Sequence, residues 1–254
     1  MEATTSAAQG AAAIPEAKQQ ISDFGRIIGV LTSPSATFAD IVRAPKWITP
    51  VLLIIVFGVA TTFVLNQRVD WHDFMDKQIN KGFWADRIPA DQKAKIIADG
   101  ARDAPRNGYI YGTLGNILLG VWLGFVYWAS FNVLGGAKAR FKTAYCIATH
   151  ACVPMIVAMP IGMLIAYLKQ WGEVDPYNLV ASSVASFLPE GTAAWLMSLA
   201  GSFELFWIWI LCLIAIGFRQ ANPKRISLGK ALGIAIGVWL VGVFVKVSAV
   251  AVMS

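Results

Sequence analysis

The sequence predicts an all-α integral membrane protein: five transmembrane helices, short amphipathic N-terminal helices, and a helical extramembrane segment between spans one and two. Three observations carry this expectation. The 254-residue chain is 57% hydrophobic and 14% charged, against roughly 45–50% and 25% in soluble domains. The run Leu205 to Phe218 holds no charge, and Ala231 to Val252 holds only Lys246. The turn between these two runs, RQANPKRISLGK, has four cations and no acid, as expected for a cytoplasmic loop under the positive-inside bias.

Residues 1–20 are small and polar with little to bury, and they predict a disordered tail. From Ile21 the pattern changes. Ile21, Phe24, Ile27, Ile28 and Leu31 recur at helical spacing, with Ser22, Asp23 and Arg26 between them. Ser33-Pro34 is a helix start, and Phe38, Ile41 and Val42 form the apolar face of a second short helix that Pro45 ends. The pair at 21–46 is expected either to lie in the inner headgroup region or to pack on the ends of the spans.

Residues 47–254 form the membrane domain, with spans at about 48–65, 111–134, 141–168, 203–218 and 231–252. The second run of the final hairpin, 22 residues long, covers ~33 Å at ~1.5 Å per residue, enough for the hydrocarbon layer. Segment 66–109 carries seven aspartates against eight Lys and Arg, a nearly balanced helical insert. Its expected helices run through Trp71–Ile79 and from near Pro89 toward Gly100. Gly135-Gly136 ends span two, and Pro154 and Pro160 predict a kink in span three. Arg43 and Lys46, then Lys138, Arg140 and Lys142, then Arg219, Lys224, Arg225 and Lys230 mark the inner loops. The N-terminus is therefore expected in the cytoplasm and the C-terminus outside. No cleavable signal peptide is visible.

Four stretches resemble the Yip-one family (Ypt-interacting proteins), in particular its bacterial branch. They are IIGVLTSPSATFADIVRAPKWITPVLL, with Leu-x-Ser-Pro-x-x-x-Phe before Trp-x-x-Pro; VLGGAKARFKTAYCIATHACVP; SFELFWIWILCLIAIGF; and SLGKALGI. The resemblance implies a five-span membrane domain with a cytoplasmic N-terminal part, in a bacterial cytoplasmic (inner) membrane. Eukaryotic relatives are associated with Rab-type GTPases, but their Asp-Leu-Tyr-Gly-Pro signature is absent here. GTPase binding is therefore not expected.

Among candidate residues, Glu204 at the mouth of span four reads first as an acid in a helical first turn. Lys246, near the outer end of span five, either snorkels or pairs with Glu204. His150 shares a face with Cys146, and His72 with Asp76, at i,i+4 spacing. A hydrogen-bonded interhelical histidine outweighs a metal site there. Cys146, Cys152 and Cys212 read as small buried apolar residues. Gly229, Gly233 and Gly237 in span five, and Gly120 and Gly124 in span two, form GxxxG faces suited to close helix approach. Span five is expected to use its face within the chain, with a homodimer as the second possibility.

No GxxxxGK[ST], HExxH or GxSxG motif is present. The chain is expected to be non-enzymatic, without metal or other cofactor. Its cations cluster at span ends rather than on a nucleic-acid face, so the lipid bilayer and other membrane proteins are the expected partners. The leading expectation is a membrane organiser or scaffold. The alternative is a small transporter or channel using the kinked third span.

Overall fold

The computed structural model describes residues 20–81, 85–189 and 191–253; the expected tail at 1–20 falls almost wholly outside them. Eleven α-helices make up the described architecture, and no strand is present among these residues. Helix α1 (Asp23–Thr32) starts where the Ser22 hydroxyl accepts the Gly25 N–H, and α2 (Pro34–Arg43) starts on a proline in its first turn. α3 (Ile48–Arg68) is the first span, followed by α4 (Trp71–Lys81).

The insert is not separated from span two. Helix α5 (Ala90–Ile110) passes through a π turn at Tyr111–Gly115 into α6 (Asn116–Ser130), then a second π turn at Phe131–Gly135. The result is one continuous 46-residue helix, Ala90–Gly135, about 69 Å long at ~1.5 Å per residue. Its polar first half pairs with α4 as a hairpin extending the second span. Pro105 and Gly108 both lie inside this helix.

The third span is α7 (Phe141–Ala151) and α8 (Val153–Leu168), interrupted at Cys152. Pro154 explains the interruption: it has no N–H for the His150 carbonyl and its ring crowds that group. Pro160 lies inside α8, which continues through it. The short α9 (Ala194–Ala200) rests against α11 (Leu228–Met253), and α10 (Leu205–Ala221) precedes that last helix.

Among the described residues four helical stretches, not five, are by themselves long and apolar enough to cross a membrane: Ile48–Arg68, Ala90–Gly135, Phe141–Leu168 and Leu228–Met253. Only 17% to 39% of their apolar windows is buried within the protein, which leaves most of that surface for lipid. The segment expected as span four is α10, whose 17 residues reach about 26 Å against the ~30 Å hydrocarbon layer. It also forms the centre of the core. Phe206, Ile210, Leu213, Ile214 and Phe218 are all buried, and α2, α7 and α11 pack around it. Away from the core, Arg68 ties α3 to the end of α8, donating from Nε to the Ala166 carbonyl at 3.0 Å and from Nη2 to that of Lys169.

Candidate functional site

The end of the bundle that carries the N-terminal helices gathers residues far apart in sequence. Phe38 of α2 is fully buried against Gly217 of α10 and Ile147 of α7. A Cβ built on Gly217 would lie 2.4 Å from Ile147 Cγ2, closer than real Cβ contacts, and 3.0 Å from Phe38 Cδ1, so a side chain there would have to push the three helices apart. One residue on, Phe218 stacks on Phe131 with ring centroids 4.1 Å apart and planes 3° from parallel. Trp47, at the head of α3, lies 5.7 Å from the Tyr145 ring of α7.

The double glycine closes the same end. Gly136 adopts φ +67°, the left-handed conformation that suits glycine at a helix C-terminus. Asn222 donates to the Gly136 carbonyl at 3.1 Å, and Lys230 to that of Gly135 at 3.2 Å. Asn132 brackets Ala139, accepting its N–H at 2.8 Å and donating to its carbonyl at 3.1 Å. The four stretches that carried the family resemblance thus converge on one end of the bundle.

Under α1 lies an ion pair. Arg26 is 0% exposed and Asp40 4%. Arg26 donates from Nε and Nη2 to Asp40 Oδ2 at 2.9 and 2.7 Å, and from Nη1 to the Ala44 carbonyl at 2.9 Å. Arg43 donates to the other carboxylate oxygen from the rim. Burial alone would raise the Asp40 pKa; the bonds and charges of Arg26 and Arg43 outweigh it and hold the carboxyl below its usual range. Gly29 abuts Thr37, so α1 and α2 form one tightly packed unit.

This arrangement revises the expected faces of α1. Arg26, placed by spacing among the polar positions, is buried with Ile27 and Val30, whereas Phe24 is 63% and Ile28 52% exposed. The N-terminal pair packs on the span ends with one face of α1 and presents an apolar ledge with another.

The other candidates separate. Glu204 is the N-cap of α10: its carboxylate accepts the Phe206 and Trp207 N–H groups at 3.1 and 2.8 Å and the Ser182 hydroxyl at 2.6 Å. It makes no ion pair with Lys246 among the described residues, so the pairing considered for them is absent. His150 is buried, and its Nδ1 donates to the Cys146 carbonyl one turn back at 2.8 Å. Its partner is its own helix rather than a neighbouring one. A recess of about 30 Å³ beside this break, lined in part by Tyr145, Thr149 and Cys152, has room for about one water. His72 is exposed, and its backbone N–H is held by Asp70, not by Asp76. Cys146 and Cys152 are buried, but Cys212 is exposed on the apolar periphery. No group of three or more His, Cys, Asp or Glu able to hold a metal occurs among the described residues.

Gly124 faces α7, where a Cβ would lie 3.1 Å from Tyr145 Cδ2; Gly120 faces Thr149 more loosely at 3.8 Å. Gly229, Gly233 and Gly237 have nothing within 4 Å of an added Cβ, so the expected intrachain use of the span-five face is overturned. α11 instead buries the sector carrying Ala231, Ile234 and Ala235. The closest small-residue contact between spans one and two was not anticipated. Added Cβ atoms on Gly108 and Gly112 would lie 3.0 and 3.1 Å from the Thr62 side chain, and one on Gly58 would lie 3.3 Å from the Gly112 carbonyl. The i,i+4 spacing of Gly58 with Thr62 and of Gly108 with Gly112 was the available signal.

The Yip1 domain family matches residues 28–249. A relative, the membrane protein YknW of Bacillus subtilis (strain 168), is 22% identical over 222 residues, covering 87% of this chain and 87% of the relative. No solved structure matches.

Proposed function

The chain belongs to the Yip1 domain family, and from that premise we propose that it is a non-enzymatic organiser or scaffold of a bacterial cytoplasmic membrane. In this reading α10 crosses as a fifth, short span whose length is made up by Phe203 and Glu204 before it. The basic loops hold the N-terminus in the cytoplasm and leave the C-terminus outside. The protein acts by contact, presenting α1 to the inner leaflet.

One observation carries the proposal. The Arg26–Asp40 pair fixes α1 to α2, while Phe24 and Ile28 on α1 and Trp47 and Ile48 at the head of span one all stand exposed. A rigid apolar ledge level with a span entrance suits the boundary between headgroups and acyl chains. Lys46, paired with Asp23 at 3.2 Å, and Arg43 ring it with charge. Spin labels at positions 24 and 28 of the full-length protein in vesicles test this. Greater accessibility to oxygen than to an aqueous nickel chelate is expected; the reverse ranking would refute leaflet contact.

A further inference from the structure

Lys246 sets a problem of charge balance. It lies on α11 among Val245, Val247 and Phe244, in a segment apolar enough to cross a membrane. An ammonium there is costly unless an anion or water reaches it. The acid at the same end of the hairpin, Glu204, is committed to capping α10. Among the described residues Lys246 makes no ion pair.

Lys246 also lines a cavity of about 760 Å³ between α6, α10 and α11, within the ~300–1,000 Å³ typical of small-molecule sites. It is lined by Leu119 to Ser130 of α6 and Val238 to Lys246 of α11, with Trp207 of α10. Its walls are apolar and aromatic, including Trp122, Trp207 and Trp239, and among the described residues Lys246 is the one charged residue lining it. Ser202 and Ser130 add hydroxyls. A long apolar slot with a single cation is complementary to an amphiphile with a single anionic head.

We propose that this groove binds an anionic phospholipid of the leaflet opposite the basic end, with an acyl chain along α6 and α11 and the phosphate on Lys246. Lys246 stands 16 residues from Lys230, ~24 Å along the helix axis. An extended lysine can reach the headgroup layer from that depth.

Tryptophan quenching in the full-length protein reads this occupancy when the seven tryptophans outside the slot are replaced by phenylalanine in every variant, wild type at position 246 included, leaving the three indoles that line it. The protein is placed in phosphatidylcholine vesicles, and brominated phosphatidylglycerol or brominated phosphatidylcholine is titrated in. The wild type is expected to prefer the anionic lipid about fivefold, the scale of one lysine near an anionic headgroup. Lys246→Arg should keep that preference and Lys246→Gln abolish it. Gly242→Leu, at a position where an added Cβ meets nothing within 4 Å, should reduce quenching by both lipids because it fills the slot. Equal quenching of the wild type by both lipids would overturn the proposal, as would an unchanged preference in Lys246→Gln. Displacement of the lipid by inorganic phosphate alone would identify an ion site rather than a lipid site and would also overturn it.

Discussion

Asp40→Ala removes two of the three hydrogen bonds made by a guanidinium that has no access to solvent. The remaining bond, to the Ala44 carbonyl, does not neutralise the charge. Breaking a buried pair from one side typically costs about 3–5 kcal/mol, because the surviving charge is left uncompensated. At about 2–4 °C per kcal/mol for a chain of this size, the melting temperature should fall by roughly 10 °C. Replacing both partners, Arg26→Met with Asp40→Leu, should recover most of the loss, since no buried charge remains. Arg43→Ala should cost under about 1 kcal/mol, because its side chain is 49% exposed. Thermal unfolding in detergent, followed by tryptophan fluorescence, measures all three. A stability of Asp40→Ala within about 1 kcal/mol of wild type, or a double replacement no more stable than the single one, would contradict a buried, charge-compensating pair. The pH dependence has a definite sign. The Asp40 pKa is depressed in the folded protein, so the contribution is complete above the unfolded carboxyl value of about 3.9 and is lost as pH falls through the lower folded value. Between pH 5 and 8 this pair should contribute no pH dependence, and Asp40→Asn should lessen the acid sensitivity.

Two glycine replacements should behave oppositely. Gly217→Ala places a methyl 2.4 Å from Ile147 Cγ2 and should destabilise by about 1–3 kcal/mol, whereas Gly233→Leu, facing open space, should leave the melting temperature of the detergent-solubilised monomer unchanged. Glu204→Ala should cost about 1 kcal/mol through loss of the α10 cap. In a double-mutant cycle with Lys246→Met the coupling should be near zero; a coupling above about 1 kcal/mol would restore the ion pair that the structure lacks.

The parts of this fold legible in sequence rest on local physics. Apolar runs, the Ser33-Pro34 start, the Gly135-Gly136 stop and the proline near the third-span interruption are each decided by a few neighbouring residues. Arg26 shows where such reading ends. At helical spacing a cation between apolar positions suggests the solvated side, yet its partner Asp40 sits 14 residues away on another helix, and only tertiary packing reveals it. Spacing likewise shows that Gly229, Gly233 and Gly237 share a face but not what lies opposite. Gly108 and Gly112 escaped notice because they straddle the polar insert and the apolar span, which the structure joins into one helix. The apolarity of α10 does not separate its two roles, because it reflects burial at the centre of the bundle as much as an outward apolar face.

In the proposed orientation the end built from Phe38, Gly217 and the basic loops faces the cytoplasm. Single cysteines at Lys138, Lys224 and Glu173, in a background with Cys146, Cys152 and Cys212 replaced, report which side each position occupies. A membrane-impermeant maleimide applied to intact cells should modify position 173, and should reach 138 and 224 only after permeabilisation. Labelling of 138 or 224 in intact cells would contradict the orientation and place the α1 ledge on the wrong leaflet.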